Sequence, residues 1–99
     1  MPNIEQLNAF VAAAETGSFS AAARRLKKAQ SAVSNAVINL EIESGVELFD
    51  RSTRSPSLTS EGESLLKSAY AVLDSHNEFV HKARSINLGE ESALCVAIE

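Results

Sequence analysis

The chain has 99 residues, enough for one small domain with room for an appendage, and its 44% hydrophobic content excludes a disordered chain. Its longest apolar stretches run five or six residues, too short to cross a membrane, and MPNIEQL lacks the basic flank and apolar run of a signal peptide. The net charge of −4 argues against a nucleic-acid partner until its distribution is considered. Residues 1–60 hold six basic and six acidic side chains, so the whole acidic excess lies in residues 61–99, with three basic and seven acidic. In the front portion the basic residues form two short clusters, Arg24, Arg25, Lys27 and Lys28, then Arg51 and Arg54. Phosphate responds to such local clusters and not to the chain total. Cys95 is the only cysteine, so no internal disulfide is expected, which suits a cytoplasmic setting.

The first predicted element runs from Ile4 to Thr16, with Ile4, Leu7, Phe10, Val11 and Ala14 on one helical face, Asn3 as cap and Gly17 as terminator. A second, short helix opens at Ser18 and carries Phe19, Ala22, Ala23 and Leu26 inward, with the basic cluster on its outer face and end. A third runs from about Gln30 to Ser44, with Val33, Val37 and Leu40 as its apolar set and Gly45 as its stop. Almost nothing separates the second helix from the third, which is the helix-turn-helix arrangement.

The segment VELFDRSTRSPSLT then changes character. Val46, Leu48 and Phe49 read as a short strand, Ser52 to Pro56 as a polar turn with Arg54 in it and Arg51 just before, and Leu58–Thr59 as the returning strand. A basic-tipped hairpin after a helix-turn-helix is a wing. A long helix follows, with Ser60 and Glu63 at capping-box spacing and Thr59 as a competing cap. Leu65, Val72, Phe79 and Ile86 repeat every seven residues, Leu66, Leu73 and Val80 form a second row, and Ala69, His76 and Ala83 lie alongside. Such a repeat predicts a partner helix. Asn87 to Gly89 is expected to end this helix, and the apolar run ALCVAIE reads as a strand.

The runs FVAAAETGSFSAAARRL, AQSAVSNAVINLE and GVELFDRSTRSPSLTSEG, in this order and spacing, resemble the N-terminal domain of LysR-type transcriptional regulators. The resemblance covers residues 4–62 by motif and the rest by architecture. It implies a mainly helical winged helix-turn-helix domain (1–59), a linker helix that dimerises (60–88), and a hinge with the first strand of a truncated effector-binding domain (89–99). It also implies a small-molecule effector for a longer protein, with no cofactor in this portion, and four subunits at full length. This chain departs from the family pattern in having Ala29 where Ser or Thr is usual, Ser31 where proline is common, and Asn35 where a long polar residue is common.

A recognition helix reads base edges with its first turns in the major groove of double-stranded DNA. Gln30, Ser31, Ser34 and Asn35 occupy those turns opposite Val33 and Val37, and amides and hydroxyls are base-reading groups. Taken alone these four residues favour a plain solvated helix face; within the whole arrangement the DNA reading wins. Lys28, Asn39, Arg51 and Arg54 are the expected backbone and wing contacts, with Arg51 alternatively bracing the wing or paired to a carboxylate such as Glu47. Leu65, Leu66, Ala69, Val72, Leu73, His76, Phe79, Val80 and Ala83 are the expected homodimer interface. His76 and His81 are five apart, which does not suit a shared metal, and no nucleophile has a supporting base, so neither a metal site nor an enzyme is expected. The competing reading is a winged-helix protein–protein module that assembles through the long helix without DNA.

Overall fold

The computed structural model describes residues 2–52 and 54–97, with side chains up to Leu88. Three helices, α1 (Ile4–Thr16), α2 (Phe19–Leu26) and α3 (Gln30–Ser44), precede a two-stranded hairpin, β1 (Phe49–Asp50) and β2 (Ser57–Leu58), and a long helix, α4 (Ser60–Ala97). The hairpin is antiparallel, with Phe49 opposite Leu58 and Asp50 opposite Ser57.

Local chemistry sets each boundary. The Asn3 side chain accepts the Gln6 N–H while the Gln6 side chain accepts the Asn3 N–H, a reciprocal capping box at the start of α1. Gly17 and Gly45 close α1 and α3 in the left-handed conformation, at φ 74° and 76°. Between α2 and α3 that conformation falls on Lys27, at φ 58°, and the Lys28 N–H turns back onto the Ala23 carbonyl. This single turn is what makes the helix-turn-helix junction so tight.

Phe10, Ala13, Ala22, Val33, Val37, Leu48 and Phe49 are the centre of the core. The alanines of α1 and α2 let the three helices approach closely. Phe49 brings the wing into this core, meeting Phe10 and Phe19 edge-on with ring centroids 5.7 and 5.6 Å away.

Three expectations change. The first strand is confined to Phe49–Asp50, because the Leu48 and Phe49 N–H groups both donate to a carboxylate oxygen of Glu41. The cap of α4 is Thr59, whose hydroxyl accepts the Gly62 N–H, so the Ser60–Glu63 box does not form. Finally, α4 does not stop at Asn87–Gly89 and residues 93–97 are helical instead of forming a strand. A strand needs a neighbour to pair its backbone groups, and among the described residues none lies alongside this segment; a helix satisfies them internally. Ile98 and Glu99, the end of the expected strand, lie outside the described residues.

Candidate nucleic-acid interface

Helix α3 turns Val33, Val37 and Leu40 into the core. At about 100° per residue, the opposite face carries Ser31, Asn35, Ile38 and Ile42. Gln30, Ser31, Asn35 and Asn39 are exposed, and Ser34 is half-buried at the flank nearer the wing. The base-reading set and Asn39 thus share the outer surface of one helix, with no hydrogen bond among the described residues holding their side chains. Ala29 provides no side-chain cap, so the first-turn N–H groups of α3 have no side-chain acceptor.

The cations divide into engaged and free. Arg51 is engaged: its guanidinium donates to Glu41 Oε1 at 2.9 Å and lies 5.5 Å from the centroid of the Phe19 ring. Its partner is therefore Glu41, not Glu47. The other oxygen of Glu41 takes the Leu48 and Phe49 N–H groups, so one largely buried carboxylate ties α3 to the base of the wing. Arg51 braces the wing through this pair. Lys28 reaches Glu5 at 3.4 Å in an exposed pair, and Arg25 pairs with Glu15. Exposed pairs of this kind are worth little and exchange readily. Among the described residues Arg24 bonds only the Ser20 hydroxyl. Arg54, at the wing tip, is exposed and has no ion pair or hydrogen bond among the described residues. At the base of the turn Asp50 accepts the Ser52 N–H and hydroxyl, and the hydroxyl above all holds its carboxyl below the usual range.

The long helix is anchored before it projects. Tyr70 donates to Glu15, whose other oxygen accepts from Arg25, so α4, α1 and α2 meet at one polar cluster. The Tyr70 hydroxyl, and secondarily Arg25, hold the Glu15 carboxyl below its ordinary value; the same bond raises the Tyr70 phenol. Of the expected interface, Ala69 is buried in the chain's own core, Leu66 packs against it and Leu73 is only 8% exposed. These three turn toward their own domain, the two seven-residue rows facing different sides of α4. The row Leu65, Val72, Phe79 and Ile86 is exposed at 36, 47, 74 and 56%. His76 and Val80 are half-buried and Ala83 is exposed. Beside Leu65 and Val72 an open apolar groove of about 330 Å³ runs between α1, α3 and α4, lined by Leu7, Leu40 and Leu48.

Sequence reasoning did not single out Glu41, Gly62 or the exposed Ile38. Glu41 offered no signal, because its partners are reached only after the chain reverses at Gly45. Gly62 was legible only as a weak helix former, although a Cβ there would stand 2.1 Å from the Leu48 carbonyl oxygen. Ile38 could have been found as an apolar residue out of phase with Val33, Val37 and Leu40.

Comparison with known proteins agrees with this geometry. Residues 4–63 match the family described as bacterial regulatory helix-turn-helix protein, lysR family. The HTH-type transcriptional regulator AceR of Acinetobacter baumannii is 42% identical over 96 residues, which is 97% of this chain and 32% of AceR. Among solved structures, an OxyR C206 mutant of Corynebacterium glutamicum superposes with a TM-score of 0.82 at 39% identity, covering 86% of this chain and 27% of that one. The DNA-binding domain of CbnR, solved as a complex with DNA, superposes with a TM-score of 0.78 at 33% identity, covering 85% of this chain and 97% of that domain. The chain thus spans about a third of the length of AceR. The relatives are named as transcriptional regulators, not enzymes, and no described helix is long and apolar enough to cross a membrane. The chain belongs to the LysR family of bacterial helix-turn-helix transcriptional regulators and carries its winged DNA-binding domain.

Proposed function

We propose that the chain binds a pseudo-palindromic promoter site as a homodimer, each protomer placing α3 in a major groove. The observation that carries this reading is the outer face of α3, where Gln30, Ser31, Ser34 and Asn35 have no side-chain hydrogen bond among the described residues, together with an exposed Arg54 on the wing that has none among them either. Amides and hydroxyls supply the base reading, with Gln30 and Asn35 suited to paired hydrogen bonds with adenine. Arg54 supplies the wing contact, in the minor groove or to phosphate. Lys28 and Asn39 supply backbone contacts, Lys28 by exchanging Glu5 for a phosphate, while Arg51 holds the wing in place. The uncapped start of α3 leaves amide groups for a further phosphate.

The dimer forms through the exposed row Leu65, Val72, Phe79 and Ile86, with the partner's helix covering the adjoining groove. Residues 89–99 lead into an effector-binding domain that senses a small molecule in a longer, cytoplasmic protein, which assembles further to a tetramer. The test is binding to duplexes selected from a randomised pool. The double variant Gln30→Ala, Asn35→Ala is expected to lose about 100-fold or more in affinity for the selected duplex and little for a scrambled one. Unchanged affinity and specificity would remove these residues from the base-reading set.

A further inference from the structure

On the outer face of α3 the polar residues surround an apolar one. Ser31, Asn35, Ile38 and Ile42 fall within about 60° of arc at about 100° per residue, directly opposite Val33, Val37 and Leu40. Ile38 is 42% exposed and Ile42 71% exposed, and neither belongs to the core or packs against it. Their neighbours on the same surface, Ser34, Asn35 and Asn39, have short side chains that cannot fold over an isoleucine. An exposed isoleucine pair on a recognition helix adds nothing to the core, so its contribution is to whatever the helix meets.

We infer that Ile38 is a specificity-determining residue that contacts the C5-methyl group of a thymine in the major groove. This rests on the DNA reading of α3 given above. Thymine is the one base that presents a methyl group in the major groove, and apolar side chains are what recognise it. Ile38 lies on the same stripe as Ser31 and Asn35, seven and three residues on, so it meets the groove floor on the register those residues set. Being β-branched it is stiff at χ1 and loses little rotamer freedom on contact. Ile42 lies a further turn, about 6 Å, from the end of the helix that enters the groove, and packs beside Ile38 without reaching a base.

The contact is tested by removing each methyl in turn. Duplexes selected by the 99-residue chain from a randomised pool are resynthesised with single thymines replaced by deoxyuridine, which lacks only the C5-methyl. Binding of the wild type and of Ile38→Ala is then measured on each duplex by fluorescence anisotropy. In each half-site one thymine is expected at which deoxyuridine weakens the wild type about 4-fold, the worth of one buried methyl group. Ile38→Ala is expected to bind the thymine duplex several-fold more weakly, yet to show no further loss on the deoxyuridine duplex. Additive losses from the side chain and the methyl, or a wild type indifferent to every replacement, would overturn the contact while leaving the DNA reading intact. Ile38→Ala binding every duplex as the wild type does would equally overturn it. Failure of the wild type to enrich any duplex would overturn both readings. Circular dichroism melting of the variant separates these outcomes from loss of fold, and Ile38→Val, which keeps part of the apolar surface, is expected to restore part of the thymine preference.

Discussion

Side-chain chemistry at single positions decides where the elements begin and how closely they approach. Asn3, Gly17, Ser18 and Gly45 were readable as caps and stops because capping is a local matter, settled within three or four residues. Gly62 was not, because its reason is a close approach to the Leu48 carbonyl across a turn of chain. Two effects compete at that position. Alanine is favoured over glycine in a helix by about 1 kcal/mol, but a Cβ 2.1 Å from a backbone oxygen forces α4 off the wing, at a typical overpacking cost of about 1–3 kcal/mol. The clash is the larger effect because the obstructing atom is backbone and cannot rotate away. Gly62→Ala is therefore expected to lower the thermal midpoint by several degrees, measured by circular dichroism melting; an unchanged or raised midpoint would contradict the close approach.

Among the elements, the helices were legible and the wing only partly so. The 3.6-residue pattern fixed α1, α2 and α3 because each has one buried face. The wing has just two residues in each strand, too few to show an alternation, and its base is held from outside the hairpin by Glu41, which accepts from the Leu48 N–H and from Arg51. The apolar pattern of the tail was compatible with strand or helix, and the absence of a sheet to join decided for helix. The attachment of α4 to α1 and α2 has a pH signature. Glu15 has its carboxyl held down by Tyr70 and Arg25, so its contribution to stability is present above its ordinary value of 4.5 and is lost as the pH falls through the lowered one. Tyr70→Phe keeps the ring and removes the bond. It is expected to lower the urea midpoint at pH 7, by the equivalent of less than about 1 kcal/mol because the cluster is exposed, and the deficit is expected to shrink as the pH falls below 4.5 and the Glu15 carboxylate is protonated. A deficit that stays the same all the way down the acid range would show that the ring packing, and not the bond to Glu15, had been disturbed.

At the level of the whole molecule, α4 carries the chain out to 66 Å, against 24 and 20 Å in the other directions, so most of its exposed apolar row has no support from its own domain. The seven-residue repeat was plain in the sequence; which of its two rows turns inward depended on how α4 docks and was not. Phe79→Glu, on the outward row at 74% exposure, is expected to shift the chain from dimer to monomer in analytical ultracentrifugation without lowering its helix content. A dimer that survives would place the interface elsewhere. The net charge of −4 does not oppose DNA binding, since the acidic excess lies along α4 and beyond, while Arg54 and the basic end of α2 sit with α3 in the winged domain. The most direct test is a titration of the 99-residue chain against a selected duplex and a scrambled one, at about 50 and 200 mM salt. The account predicts affinity for the selected duplex at least about 100-fold above the scrambled one, falling steeply with salt as phosphate contacts are screened. Equal binding to both duplexes, or no binding to either at low salt, would contradict it.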